Sequence, residues 1–117
     1  MRADLVLGID LSTTAAKAVA FDVQGRVQAA GRAPLSLARP APERFEQDPR
    51  DWWVALCRAV AEVTAAVDPG RIAGLAIAHQ RETFACLDRG GEPLRPAMLW
   101  LDGRARGQLG ALVGRIG

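Results

Sequence analysis

The stretch from Leu5 to Asp22 constrains the fold most, because it places a polar turn between two short apolar runs. Residues 5–9 read Leu-Val-Leu-Gly-Ile, and residues 18–21 read Ala-Val-Ala-Phe. Short apolar runs bounded by turn residues are typical of strands in a covered sheet. The sequence therefore predicts a strand, a tight turn and a second strand.

The turn carries an unusual set of polar side chains. Asp10 ends the first run, and the hydroxyl residues Ser12, Thr13 and Thr14 follow it. Turns that aim several backbone N–H groups inward bind anions, and Mg²⁺ prefers one or two carboxylates together with phosphate oxygens. Lys17, the only lysine of the chain, supplies a compact positive charge. The stretch predicts either a phosphate-binding turn with Mg²⁺ at Asp10 or an ordinary polar hairpin turn.

The composition is that of an ordinary globular protein. Of 117 residues, 50% are hydrophobic and 24% charged, which suits one domain with a single core. The net charge is +2 and the arginines form no block, so no nucleic-acid partner is expected. No apolar run approaches the ~20 residues of a membrane span, so we expect no membrane partner and a cytoplasmic location. Cys57 and Cys86 fit no C-x-x-C pair or disulfide framework, which predicts two buried reduced thiols.

The next segment predicts a third strand, a loop and a helix. The glycine-bearing link before Arg26 lets residues 26–30 return antiparallel, and the prolines of residues 34–42 indicate an extended surface loop. Asp48 can cap a helix that begins at Pro49 and ends before Asp68-Pro69-Gly70. We expect one apolar stripe of this helix to pack on the sheet. The stripe consists of Trp53, Leu56, Val60, Val63 and Val67.

The second half of the chain continues an α/β series. Residues 72–78 predict a buried strand that runs parallel to its neighbour after the helical crossover. Residues 83–87 suggest a further strand, residues 97–100 an extended segment and residues 109–116 a helix weakened by glycines. The predicted fold is α/β, with an antiparallel three-stranded start, a crossover helix and then parallel strands.

A second polar cluster follows the predicted parallel strand. In open α/β sheets, ligands bind beyond the carboxyl ends of the strands. Arg81 and Glu82 can together grip vicinal hydroxyls, with Trp100 as an apolar wall and Asp102 as a further acceptor. Alternatively, Arg81 and Glu82 form a surface ion pair, Trp100 lies in the core and Asp102 caps the final helix. His79 is expected to be a hydrogen-bonded structural residue.

Four motifs, in this order along the chain, resemble the amino-terminal part of the FGGY carbohydrate kinases. Together these motifs span nearly the whole sequence. They are Leu7–Thr14 with Lys17, Glu46–Pro49 with Trp52, Gln80–Thr83, and Pro93–Ala97 with Trp100, Asp102 and Arg104.

The resemblance implies an actin-like, RNase H-like fold that holds ATP and transfers its terminal phosphate to a sugar or polyol. It gives Asp10 a catalytic role in positioning Mg²⁺ and phosphate. The implied phosphate-binding residues are Ser12, Thr13, Thr14 and Lys17, and the implied substrate-binding residues are Gln80, Arg81, Glu82, Trp100 and Asp102. Residues 80–83 are similar to the polyol-gripping segment of glycerol kinases, whereas residues 46–49 look more like those of xylulokinases. The substrate class therefore stays open between pentuloses, hexuloses and glycerol.

Two departures from the family pattern bear on activity. Ser12 stands where the family usually has glycine, and its Cβ restricts a close approach to phosphate. The catalytic aspartate and the adenosine-binding segment belong to a later part of such kinases. Residues 1–117 are thus expected to form the amino-terminal part of the first actin-like domain, inactive alone and prone to self-association.

The sequence is also compatible with two other functions. In an RNase H-like nuclease, Asp10, Glu46 and Glu82 would hold two metal ions about 4 Å apart. A non-catalytic actin-like module would bind nucleotide or a partner through its sheet edge.

Overall fold

The structure of the chain is a computed structural model that describes residues 2–117. Its strands are β1 (Leu5–Leu11), β2 (Ala15–Asp22), β3 (Val27–Pro34), β4 (Ala38–Ala41), β5 (Arg44–Gln47), β6 (Ile72–His79) and β7 (Ala97–Met98). Its α-helices are α1 (Pro49–Ala66) and α2 (Leu109–Ile116), and short 3₁₀ segments lie at Pro69–Arg71 and Arg104–Gln108.

The main sheet has four strands in the order β3-β2-β1-β6. Strands β1, β2 and β3 form an antiparallel meander, and β6 pairs in parallel with β1 after the α1 crossover. The predicted meander, crossover helix and parallel strand are confirmed. The third strand extends to Pro34, four residues beyond the predicted end at Ala30.

One face of this sheet is covered by α1. The side chains of Leu5, Leu7 and Ile9 alternate along β1 with more exposed ones and form the core with alanines of β2 and β3. Asp48 starts α1 as predicted, since its carboxylate accepts from the backbone N–H of Arg50 at 2.9 Å. Because the core lies between the sheet and α1, only the side of the helix that faces the sheet has to be apolar.

The predicted helix stripe is confirmed except for Trp53. Val63 is buried and Leu56, Val60 and Val67 pack against the core, whereas Trp53 is 68% exposed. The other buried residues of α1, Ala55 and Ala59, were not predicted. A Cβ atom on Gly31 of β3 would overlap the Ala59 carbonyl oxygen, so the helix backbone lies directly against the strand. At such a close contact small side chains fill the centre and large ones move to the flanks.

A second, three-stranded sheet has the order β4-β5-β7 and was not predicted. The expected loop over residues 34–42 contributes β4 to it. The strand expected at residues 83–87 is absent, because this segment makes only single bridges, between Phe84 and Met98 and between Leu87 and Pro93. Pro93 and Pro96 lack the N–H donors that a longer ladder would require.

Three burial predictions are wrong. Strand β6 was expected to be buried, yet it is the sheet edge and every residue from Ala73 to His79 is exposed. Cys57 and Cys86 are exposed as well. Helix α2 forms despite its glycines, but each of its residues is exposed. Among residues 2–117, no helix combines the length and apolar character needed to span a membrane.

Candidate active site

A cavity of about 400 Å³ opens beside the carboxyl ends of β1 and β6. Because these strands are parallel, the segments that follow them meet at this edge. The backbone N–H of Gln80 donates to the Leu11 carbonyl at 3.1 Å, and this bond holds together the segments that follow β1 and β6. The lining residues are Asp10, Ser12, Thr13, His79, Gln80, Arg81, Glu82 and Trp100.

Asp10 and Lys17 face each other across the β1–β2 pair. The Lys17 ammonium lies 3.9 Å from the Asp10 carboxylate, and both side chains are about half exposed, at 49% and 48%. Lys17 lines a neighbouring apolar groove on the open face of the sheet rather than the cavity, whereas Asp10 borders both. The pair is therefore a loose one that leaves both charges available to a ligand.

The turn between β1 and β2 is closed by Ser12. Its hydroxyl and its backbone N–H both donate to the Ala15 carbonyl, each at 3.0 Å. Glu82 is the only non-glycine residue with positive φ in the described chain, so the serine costs no backbone strain. Within residues 2–117 the N–H groups of Thr13 and Thr14 make no hydrogen bond. These two donors can serve an anion.

The Thr13 hydroxyl is engaged inside the site. It donates to the Gln80 amide oxygen at 3.4 Å and accepts from the Trp100 indole N–H at 3.1 Å. The same Gln80 oxygen accepts from the Thr83 hydroxyl at 3.2 Å, which in turn accepts from the Trp100 backbone N–H at 3.0 Å. Trp100 is thus fixed over the turn by two hydrogen bonds, although its side chain is not in the core.

Gln47, which belongs to the second FGGY-like motif but was not among the predicted site residues, connects these groups. Its amide N–H donates to the Thr13 carbonyl at 2.6 Å. Its amide oxygen accepts from the Trp52 indole at 2.9 Å and from the Gln80 amide at 3.1 Å. A glutamine placed just before a helix cap is ordinarily solvated, so no local signal predicts that this one is buried.

Arg81 and Glu82 extend from the cavity into solvent. Their charged groups are 3.8 Å apart and their side chains are 86% and 74% exposed, so the pair is weak. Glu82 has φ 56°, in the left-handed region that is unfavourable for residues other than glycine. Both groups can turn towards a ligand without losing a buried partner.

Asp102 does not line the cavity. It accepts from the Arg104 guanidinium at 2.6 Å and from the Phe45 backbone N–H at 2.8 Å. The hydrogen bond from Arg104, aided by that from Phe45, holds the pKa of Asp102 well below its usual range. The hydrogen bonds that Arg104 donates to Asp102 and Glu46 in turn raise the pKa of Arg104. This ion cluster fastens the segment after Trp100 to β5.

Comparison with known proteins decides the family. The model for the N-terminal domain of the FGGY family of carbohydrate kinases matches residues 5–114. The chain belongs to this family.

The related proteins are kinases for more than one substrate. The chain is 41% identical to the xylulose kinase of Streptomyces rubiginosus over 97% of its own length and 23% of that protein. It is 35% identical to the glycerol kinase of Thermococcus onnurineus, over 81% of this chain and 20% of the relative. The xylulose kinase structure from Rhodospirillum rubrum superposes with a TM-score of 0.91 at 27% identity, covering 96% of this chain and 23% of that one.

These matches identify the fold of the chain and show what fraction of its relatives' length it covers. The FGGY neighbours have the actin-like ATPase fold, and residues 2–117 form an α/β part of it with a mixed sheet and a crossover helix. The chain spans 20% to 23% of the length of the relatives named above.

Most residues expected from the FGGY resemblance meet at one place. Asp10, Ser12 and Thr13 from the first motif and Gln80, Arg81, Glu82 and Trp100 from the later ones line the same cavity. Of the other expected site residues, Thr14 and Lys17 lie beside it on the turn and the open sheet face, and Asp102 lies in the ion cluster.

Proposed function

We propose that the full-length protein containing this FGGY domain phosphorylates a hydroxyl group of a sugar or polyol with ATP and Mg²⁺. One observation carries the proposal. Around a single cavity, the hydroxyl-bearing turn between β1 and β2 faces the polar segment that follows β6. Phosphoryl transfer depends mostly on positioning donor and acceptor together, which is what such a cavity provides.

The turn suits the phosphate side of the reaction. Among the residues that the structure describes, the Thr13 and Thr14 N–H groups make no hydrogen bond. Lys17 is the cross-strand partner of Asp10. The Asp10 carboxylate is half exposed with Lys17 as a loose partner, which fits a metal held through waters by one carboxylate and phosphate oxygens. Bound Mg²⁺ would offset the negative charge of the phosphate oxygens. The Thr13 hydroxyl orients the turn instead, because Gln80 and Trp100 occupy it.

The other side of the cavity suits an acceptor with several hydroxyls. Arg81 can donate to and Glu82 can accept from neighbouring hydroxyls, and the exposed ring of Trp100 can cover the carbon skeleton. Relatives named xylulose kinase and glycerol kinase support a pentulose or glycerol as the acceptor. Asp102 supports the acceptor side indirectly, by holding the segment that carries Trp100.

The nuclease alternative finds no support in the geometry. Glu46, one of its three carboxylates, accepts from Arg104 at 2.7 Å and from Arg95 at 3.1 Å. In the part of the chain that the structure describes, no three His, Cys, Asp or Glu side chains are grouped to hold a metal. The other alternative, a non-catalytic module, predicts nucleotide binding without phosphorylation of any acceptor.

The proposal is tested by steady-state kinetics of the full-length protein with D-xylulose, a hexulose and glycerol. Asp10→Asn should lower kcat/KM by roughly 10²-fold or more, because the variant loses charge where phosphate and metal are positioned. Arg81→Ala should raise KM for the acceptor far more than KM for ATP, since Arg81 faces only the acceptor.

The outcomes separate the candidates. Nucleotide binding without turnover of any acceptor would indicate a non-catalytic module, and metal-dependent cleavage of an RNA–DNA hybrid would indicate a nuclease. Near-normal turnover by Asp10→Asn would remove the assigned role of Asp10. Equal effects of Arg81→Ala on both KM values would indicate a structural ion pair.

A further inference from the structure

Gln47 is the only buried polar residue in the part of the chain that the structure describes, with 3% of its surface exposed. It lies at the end of β5, directly before the Asp48 cap of α1. Burial of an amide is costly unless each of its polar atoms finds a partner. All partners of Gln47 belong to elements that build the cavity or support it: Thr13, Gln80 and Trp52.

The chemistry of these partners fixes the orientation of the network. The Trp52 indole N–H can only donate, so the Gln47 oxygen must face it, and the Thr13 carbonyl can only accept, so the Gln47 N–H must face that group. The Gln80 N–H then donates to Gln47, which leaves the Gln80 oxygen to accept from the Thr13 and Thr83 hydroxyls. Reversing one amide would break bonds at both of its ends.

Gln47 therefore joins the two sides of the cavity. Through the Thr13 carbonyl it holds the turn assigned to phosphate, and through the Gln80 amide it holds the segment that continues into Arg81 and Glu82. Trp52, on the first turns of α1, anchors Gln47 in turn. We propose that Gln47 is a positioning residue that sets the separation and orientation of donor and acceptor in the reaction, an inference that rests on the proposed kinase function.

The expected kinetic signature follows from this placement. A residue that touches one substrate changes the KM of that substrate, whereas a residue that aligns two bound substrates changes kcat. Gln47→Met keeps the length of the side chain but removes its amide. We expect kcat to fall by about 10- to 100-fold, with both KM values within about threefold of the wild type.

A second variant tests the hydrogen bond to Thr13 itself. In Gln47→Glu, the ionised carboxylate cannot donate to the Thr13 carbonyl, but the protonated form can donate one O–H while its other oxygen still accepts from Trp52 and Gln80. Burial raises the pKa of such a carboxyl, so the protonated form is favoured as the pH falls. The ratio of variant to wild-type kcat should rise at lower pH for Gln47→Glu and stay flat for Gln47→Met.

Val63→Ala serves as the stability control, because Val63 is fully buried in α1, the helix that follows Gln47, and lies outside the cavity. It should lower the melting temperature while leaving kcat at the wild-type level at assay temperatures well below melting. Melting curves of all variants at each pH show whether the protein assayed is folded.

Each result of this experiment has a distinct meaning. A wild-type protein that phosphorylates none of the acceptors overturns the proposed function, and with it the role of Gln47. With an active wild type, unchanged kcat in Gln47→Met overturns the positioning role alone. A change confined to one KM, or a loss of kcat matched by Val63→Ala, overturns it as well, in favour of a binding or a purely structural role.

Discussion

At the scale of single residues, Glu82 shows how the site holds a strained backbone. Its φ of 56° lies in the left-handed region, where a side chain with a Cβ atom costs roughly 1–2 kcal/mol. Such outliers persist where the surrounding structure determines the conformation, and they cluster at functional sites. Here the residue follows Gln80, whose backbone and side chain are both fixed by hydrogen bonds. The strain therefore supports a role for the Glu82 side chain in the cavity.

This strain can be measured by comparing two substitutions of the same residue. Glu82→Gly and Glu82→Ala both remove the carboxylate, but only glycine adopts positive φ without a steric cost. We expect the glycine variant to be more stable than the alanine variant by about 1 kcal/mol in thermal unfolding. Both variants should show the same weakened acceptor binding. An alanine variant as stable as the glycine variant would show that the backbone relaxes freely.

The site residues that could be predicted from the sequence are those whose type and position along the chain already indicate a function. Asp10, Thr13 and Glu82 were expected at the site from their positions near strand ends, and Gln80 from the FGGY resemblance. All four line the cavity. Gln47 could not be predicted to be buried, because burial of an amide depends on which elements pack above it.

At the scale of elements, the contact between α1 and β3 determines how the sheet is covered. Gly31 lies under Ala59, and the Glu62 carboxylate accepts from the Arg32 backbone N–H at 3.0 Å. Helical periodicity correctly predicted that Val63 is buried and that Leu56, Val60 and Val67 pack on the sheet. It missed Ala55 and Ala59, which are buried as well. The centre of the contact belongs to alanines, because the strand beneath offers alanine and glycine, and close approach then favours small residues on both sides.

Gly31→Ala should therefore destabilise the protein, because the new methyl group meets the Ala59 carbonyl and the Glu62 Cβ. Forced overpacking of this kind typically costs about 1–3 kcal/mol. Gly74→Ala is the matched control, since it adds the same methyl group on a strand with no atom within 4 Å. That control should leave stability unchanged or raise it by up to about 1 kcal/mol. Equal unfolding free energies for the two variants would contradict the close helix–strand contact.

The ion cluster of Asp102, Arg104 and Glu46 links β5 to the segment after Trp100. Its effect on stability should depend on pH, because the pKa of Asp102 is lowered in the folded state. A lowered carboxyl pKa gives stability that is complete above the unfolded value, about 3.9 for Asp. That stability is lost as the pH falls from there towards the folded value.

Asp102→Asn tests this pH dependence. At pH 7 the variant should be less stable than the wild type, because the amide cannot accept the charge-assisted hydrogen bonds from Arg104 with the same strength. Below about pH 4 the difference should shrink, because Asp102 becomes protonated in the unfolded wild type while it stays ionised in the folded protein, and this proton uptake lowers the stability of the wild type. Chemical unfolding of both proteins between pH 7 and pH 3 measures it. A constant difference over that range would show that Asp102 acts by shape alone.

At the scale of the whole molecule, the sequence predicted the order of the main elements but not the second sheet. Runs of apolar residues and a capped helix identify β1, β2, β6 and α1, since each has a local signal. Strands β4 and β7 have four and two residues and contain or adjoin prolines. Such short strands form because β5 lies between them, and no local pattern shows that pairing in advance.

The molecule is also more extended than its size requires. Its radius of gyration is 18.1 Å, against about 13 Å for a compact chain of about 100 residues. Its accessible surface is 7,921 Å², against about 6,200 Å² expected for a folded monomer of this mass. Much of the excess is apolar, because β6, α2 and the face of the sheet opposite α1 are uncovered.

The clearest uncovered surface is a groove between α1 and β6, which we call the α1–β6 groove. It is lined by Leu7, Ile9, Trp53, Leu56, Cys57, Val60, Ala61, Thr64, Leu75 and Ile77. Leu75 and Ile77 are 60% and 52% exposed on an edge strand whose backbone can pair with another chain. Apolar surface combined with a free strand edge favours association between copies.

We therefore predict that the 117-residue chain, prepared by itself, self-associates and phosphorylates neither glycerol nor xylulose. Light scattering after size-exclusion chromatography should show a mass that rises with concentration. Leu75→Arg should weaken this association by placing a charge in the α1–β6 groove, whereas Val23→Arg should not, because Val23 is 79% exposed in a turn outside it. A monomer at every concentration that melts cooperatively above ~60 °C would show that these faces are stable in water, and the groove would then need no covering.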